Sequence, residues 1–111
     1  MIWHPLTTIE QLQEIIDKSA QNPQVIYKHS TRCSISQVVK SRLEKQKPPE
    51  AADFYYLDLI AYRDVSNAIA QQFLVHHESP QVLVIRNGSC VYDDSHMAIN
   101  MDDIADQVSL A

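Results

Sequence analysis

One glycine stands in 111 residues, alongside two cysteines, one tryptophan and nine lysines and arginines. Each scarcity narrows what the chain can do. With a net charge of -5 and no cluster of Lys and Arg, phosphate neutralisation on a nucleic acid is excluded as its working principle. Arg42, Lys45 and Lys47 are interleaved with Glu44 and Gln46 and read as a solvated helix end. The longest apolar run, Val82-Leu83-Val84-Ile85, is far too short to span a bilayer, so no membrane association is expected. The start of the chain lacks the basic-then-apolar pattern of a secretory leader, and the expected location is cytoplasmic. In that compartment two cysteines do not make a structural disulfide. No zinc-type spacing joins Cys33, Cys90, His76, His77 and His96, so no metal site is expected. There is no internal repeat or heptad run, and the length suits a single domain over residues 1–111.

What remains is an α/β pattern. Thr8 and Gln11 match a capping box, and Ile9, Leu12, Ile15 and Ile16 mark one face of the helix that follows. Val25 to His29 reads as a strand. Ser30 or Thr31 is placed to cap a second helix with Ile35, Val38, Val39 and Leu43 as its buried face. Lys47-Pro48-Pro49 ends it. Phe54 to Leu59 is strand-like, and Val65, Ala68, Ile69 and Phe73 space out a third helix. The only glycine sits in Asn87-Gly88, the strongest short hairpin signal, between Val82–Arg86 and Ser89–Asp93. Asn100 caps a last helix carrying Ile104, Ala105 and Val108.

The order is helix, strand, helix, strand, helix, hairpin, helix. Strands joined through a helix are parallel with a right-handed crossover. The expected architecture is a thioredoxin-like four-stranded mixed sheet flanked by helices, with an extra helix at the N-terminus.

Chemistry concentrates at Cys33, in His29-Ser30-Thr31-Arg32-Cys33-Ser34-Ile35-Ser36. A thiol at a helix N-terminus beside an arginine is in an environment that favours the thiolate. Arg32 is either solvated or an attractor of an acidic small thiol. Ser36 stands where a redox dithiol carries its second cysteine, and reads either as a first-turn polar residue or as a hydroxyl near the sulfur. In the thioredoxin strand order, Ser79-Pro80-Gln81 begins the third strand at the same end of the sheet, with Pro80 expected cis and Ser79 open to a substrate strand. The fourth strand delivers Ser95 and His96 there and starts, at Cys90, at the opposite end.

Several runs together carry a resemblance. They are His29-Ser30-Thr31-x-Cys33-x-Ile35-Ser36, Asp58 through Ala70, His77-Glu78-Ser79-Pro80-Gln81-Val82 and Ser95-His96-x-x-Ile99. In order and spacing the chain resembles the YtxJ-like monothiol bacilliredoxins, small thioredoxin-fold proteins of the bacillithiol system. It departs from them at Ser34, usually proline, and at Met97, commonly tryptophan. The resemblance implies thiol–disulfide exchange at Cys33, with Thr31, Arg32, Ser36, Ser79, Pro80 and His96 as substrate-binding surroundings. It implies no tightly bound cofactor, a low-molecular-weight thiol such as bacillithiol as co-substrate, and S-thiolated proteins as partners. Two other functions fit the residues: a glutathione-dependent monothiol transferase, and a non-enzymatic binding module with an oxidisable Cys33. The sequence leaves the oligomeric state open.

Overall fold

A computed structural model of the chain describes residues 1–110. The elements are β1 (His4–Pro5), α1 (Glu10–Lys18), β2 (Gln24–His29), α2 (Ser34–Glu44), β3 (Asp53–Asp58), α3 (Arg63–Phe73), β4 (Gln81–Arg86), β5 (Ser89–Ser95), a 3₁₀ turn (His96–Ala98) and α4 (Met101–Ser109). They build one sheet of order β1-β3-β2-β4-β5. β2 runs parallel to β3 and antiparallel to β4, and β4 pairs antiparallel with β5. The sheet therefore has five strands where the pattern led us to expect four. The added strand is the two-residue β1, parallel to β3 at the edge. Two residues are too few to show a period, and Pro5 suits an edge because it has no N–H to give a neighbouring strand.

Alternation along the strands sends side chains to two cores. Ile26, Leu57, Leu83 and Ile85 meet Leu12 and Ile15 of α1 and Val65, Ile69 and Phe73 of α3. On the other face Val25, Tyr27, Val82 and Val84 meet Val39 and Leu43 of α2 and Ile104 and Val108 of α4. Three local devices act as the sequence suggested. Gln11 Oε1 accepts from Thr8 N while Gln11 N donates to Thr8 Oγ1. Asn100 Oδ1 accepts from Asp103 N at 2.9 Å. Asn87 and Gly88 take φ of 52° and 78°, the left-handed pair of a tight hairpin turn. Ser19 clamps that turn, its carbonyl taking Asn87 N–H and its hydroxyl taking Gly88 N–H.

Three expectations about helix faces and caps are corrected. Ile9 is about half exposed, beyond the apolar stripe of α1. On α2 the buried residues are Ser36, Val39 and Leu43, while Ile35 and Val38 are 41% and 52% exposed. Val39 and Leu43 are buried as expected; counting apolar residues alone widened the face to Ile35 and Val38, because it took Ser36 for a surface residue. Neither Ser30 nor Thr31 caps α2. Its N-cap is Cys33, and no side chain caps the end.

Candidate functional site

Cys33 lies where β2 hands over to α2, with extended backbone at φ −109°, ψ 119°. Its N–H donates to Ser30 O at 3.2 Å and its carbonyl accepts from Gln37 N at 3.2 Å. The peptide is thus held at both ends while the thiol is free and partly exposed. Thr31 and Arg32 form the exposed turn just before it.

Beneath the thiol loop lies a buried polar knot. Ser36 is fully buried, and its hydroxyl accepts from Ser30 N at 3.0 Å and lies 2.7 Å from His29 Nδ1. Tyr27 Oη donates to Ser36 O at 3.0 Å. The neutral imidazole is favoured, since burial first and then nearby Lys40 lower the His29 pKa. A neutral His29 accepts the Ser36 proton, so every member has a partner. Burial also pushes Tyr27 up to about 12, keeping its phenol a donor. Ser36 was expected to bind substrate. Fully buried and engaged on both its hydroxyl and its carbonyl, it instead positions the Cys33 loop from below.

The other residues singled out converge by topology. Lys28, five positions before Cys33, pairs with Gln81, and Gln81 pairs with Ser95. This end of the sheet therefore carries the turn of Cys33, the Ser79-Pro80 segment and the exit of β5. The Ser79-Pro80 bond is cis. Pro80 is buried, and its carbonyl accepts from His96 N at 3.0 Å, which ties the two segments together. Ser79 Oγ is buried without a hydrogen-bond partner. The His96 ring is half exposed, with Nε2 3.8 Å from Glu78 Oε2.

Two buried side chains on the α1/α3 face hold the segment leading into Pro80. Gln81 donates to His76 O at 2.9 Å and accepts from Glu78 N. Lys28 is wholly buried, yet its Nζ donates to Ser66 O and His77 Nδ1, both at 3.3 Å, with no carboxylate partner. Burial brings its pKa down to about 8. Sequence reasoning overlooked Lys28; its signal was a lysine in phase with Ile26, on an inward position of a strand.

Cys90 sits at the far end. It pairs with Ile85 beside the hairpin, four residues along β4 from Gln81, or about 14 Å at strand spacing. A disulfide needs Cα atoms within about 7 Å. Its Sγ donates to Tyr92 O at 3.2 Å, and burial pushes the thiol up to about 11. The histidines do not assemble a ligand set: among the described residues no group of three or more His, Cys, Asp or Glu is placed to hold a metal ion.

The arrangement is one partly exposed thiol at a helix mouth, at the same end of a thioredoxin-type sheet as a cis-proline loop. The family model for monothiol bacilliredoxin BrxC matches residues 4–104. This chain belongs to the monothiol bacilliredoxin family. Among solved structures it is similar to a thioredoxin-fold protein proposed to be an oxidoreductase, at 32% identity and a TM-score of 0.80, over 92% of this chain and 89% of that one. Thioredoxins from Malassezia sympodialis and Fasciola hepatica share the fold, each with a TM-score of 0.72. Their identities are 15% and 17%, with 97% and 96% of this chain covered and 89% and 96% of theirs. Membership in the bacilliredoxin family carries a thiol-redox function. No helix among the described residues is long and apolar enough to cross a membrane.

Proposed function

We propose that this protein is a cytoplasmic monothiol exchanger that removes a low-molecular-weight thiol, bacillithiol, from mixed disulfides on client proteins, with Cys33 as the only sulfur it uses. One observation carries the reading: the partly exposed thiol at the mouth of α2 has no second thiol on its end of the sheet. A dithiol exchanger must close a disulfide within its own chain. A monothiol exchanger must not.

The chemistry balances with one nucleophile. Cys33 thiolate attacks the small-thiol sulfur of the client's mixed disulfide. A bond forms between Cys33 and the small thiol, the client's S–S bond breaks, and the client cysteine leaves as thiolate and takes a proton. A second molecule of the small thiol then attacks the Cys33 adduct. That step releases the symmetrical small-molecule disulfide and restores Cys33. No tightly bound cofactor enters either step. Thr31 and Arg32 flank the incoming disulfide, and Arg32 supplies a cation for the carboxylates of an acidic small thiol. Ser79 and Pro80 face it from the cis-proline loop, and His96 closes the third side.

The test is release of small thiol from a modified client protein, run with bacillithiol and with glutathione as the modifying group. Turnover by the wild-type protein that is lost in Cys33→Ser and faster with bacillithiol supports the reading. Equal rates with glutathione make the protein a general monothiol transferase, and no release with either makes it a binding module.

A further inference from the structure

Helix α2 leaves its outer face uncovered, and that face begins at the reactive thiol. Gln37, Val38, Ser41, Arg42 and Lys45 line a shallow groove of about 470 Å³ along it. Val38 is 52% exposed, and Met97 of the 3₁₀ turn is 50% exposed. Arg42 ties α2 to the 3₁₀ turn beside the groove, its Nη2 donating to Met97 O at 2.9 Å and also to Ile99 O. The groove is lined by cations and by no carboxylate. Glu44, the only acid on α2, points elsewhere, holding Trp3 Nε1 and Lys40 Nζ, both at 2.9 Å. On a molecule of net charge -5 this is a local reversal of sign.

We infer that the α2 groove is the docking track for the client polypeptide, and that it selects an extended segment with an apolar side chain close to the thiolated cysteine and carboxylates further along. The inference rests on the exchange reading above, which brings a polypeptide to Cys33. Spacing sets the register. At about 1.5 Å per helical residue, Val38 lies about 7.5 Å along the axis from Cys33, and Lys45 about 18 Å. An extended client at about 3.4 Å per residue reaches Val38 with its second residue beyond the cysteine, and Arg42 and Lys45 with its fourth and fifth. The apolar side chain buries Val38 and Met97. The carboxylates meet Lys45 and the exposed edge of Arg42, whose Nη2 is held by the two carbonyls.

Binding is measured apart from chemistry. Cys33→Ser protein is titrated with fluorescent peptides in which serine replaces the thiolated cysteine, leucine stands two residues away, and either two glutamates or two lysines stand at the fourth and fifth positions. Each is made in both chain directions, and fluorescence anisotropy is the readout. The glutamate peptide is expected to bind more tightly than the lysine peptide by about threefold or more, with the preference shrinking as salt rises. Lys45→Glu in the same background should abolish the preference, since it leaves one cation and one carboxylate in the groove. Val38→Asp should weaken both peptides, with its thermal transition checked to show it folds. Equal binding of the two peptides, or a preference untouched by Lys45→Glu, overturns the inference. So does self-association that Val38→Asp abolishes while no peptide binds, which would make a second copy the occupant. Reaction of the wild-type protein with a small disulfide containing no peptide scores the exchange reading separately. If that reaction fails while the glutamate peptide still binds as predicted, the groove stands and the exchange reading falls.

Discussion

The hydroxyl of Ser36 lies 2.7 Å from Nδ1 of His29, and both residues are buried beneath the loop that carries Cys33. The position that holds a second cysteine in a dithiol centre is here an anchor between β2 and α2. Ser36→Ala strands the Ser30 N–H and His29 Nδ1 without partners. We predict a loss of about 1–3 kcal/mol for this change. Ser34→Ala, two residues away on the exposed side, should cost less than about 0.5 kcal/mol. Urea unfolding of the two variants against wild type decides it, and equal small effects would show the knot to be unimportant.

The same knot makes stability depend on acid. The His29 pKa is lowered in the fold by burial first and by Lys40 second. As pH falls through about 6.5, the unfolded chain takes up a proton before the folded protein does. Wild type should therefore lose stability over that window, at no more than about 1.4 kcal/mol per pH unit from this residue. His29→Gln should reduce the dependence between pH 7 and 5 without removing it, because burial lowers the His77 pKa as well. Unchanged slopes in urea unfolding at the two pH values would contradict it.

Lys28 acts at the other end of the scale. Its pKa is about 8 in the fold against 10.5 in the unfolded chain. Between those values the unfolded chain binds more protons, so its contribution to stability rises with pH. Tyr27, Tyr92 and Cys90, all raised, push the opposite way above pH 9. The difference between Lys28→Met and wild type isolates the lysine. We predict that Lys28→Met is at least as stable at pH 7, and that its advantage shrinks from pH 8 to 10 by at most about 1.4 kcal/mol per unit. An advantage that stays constant with pH would place no buried ammonium at this position.

Much of this was legible in the residues. Thr8 with Gln11, Asn87-Gly88 and Asn100 each announce a local geometry through their own hydrogen bonds or φ, and each acts locally. Cys33 at the helix mouth, cis Pro80 and the distant Cys90 followed from element order and the resemblance. What stayed hidden depends on partners far along the chain. Ser36 is internal because Tyr27, His29 and Ser30 satisfy it. Lys28 is internal because Ser66 and His77, from α3 and the loop beyond, close over it. The exposure of Ile35 and Val38 follows from the rotation of α2 that buries Ser36. The edge strand β1 has no period to detect.

Cys90 is a bystander in this account. Its thiol, raised to about 11, stays protonated near neutral pH, and it packs against the α1/α3 core. Iodoacetamide at pH 8 should label Cys33 in the native protein and reach Cys90 only after denaturation. Peptide mapping of the alkylated sites reads this directly. Faster native labelling of Cys90 would identify the wrong sulfur as reactive.

The central claim is that Cys33 alone takes the small thiol. The most direct measurement is the intact mass of the protein over time with a bacillithiol-modified client, for wild type, Cys33→Ser and Cys90→Ser. Wild type and Cys90→Ser should both gain the mass of one small thiol, mapped to Cys33, as the client is freed, and Cys33→Ser should gain none. A Cys33–Cys90 disulfide as the main product, or an adduct that persists in Cys33→Ser, would contradict the one-sulfur mechanism.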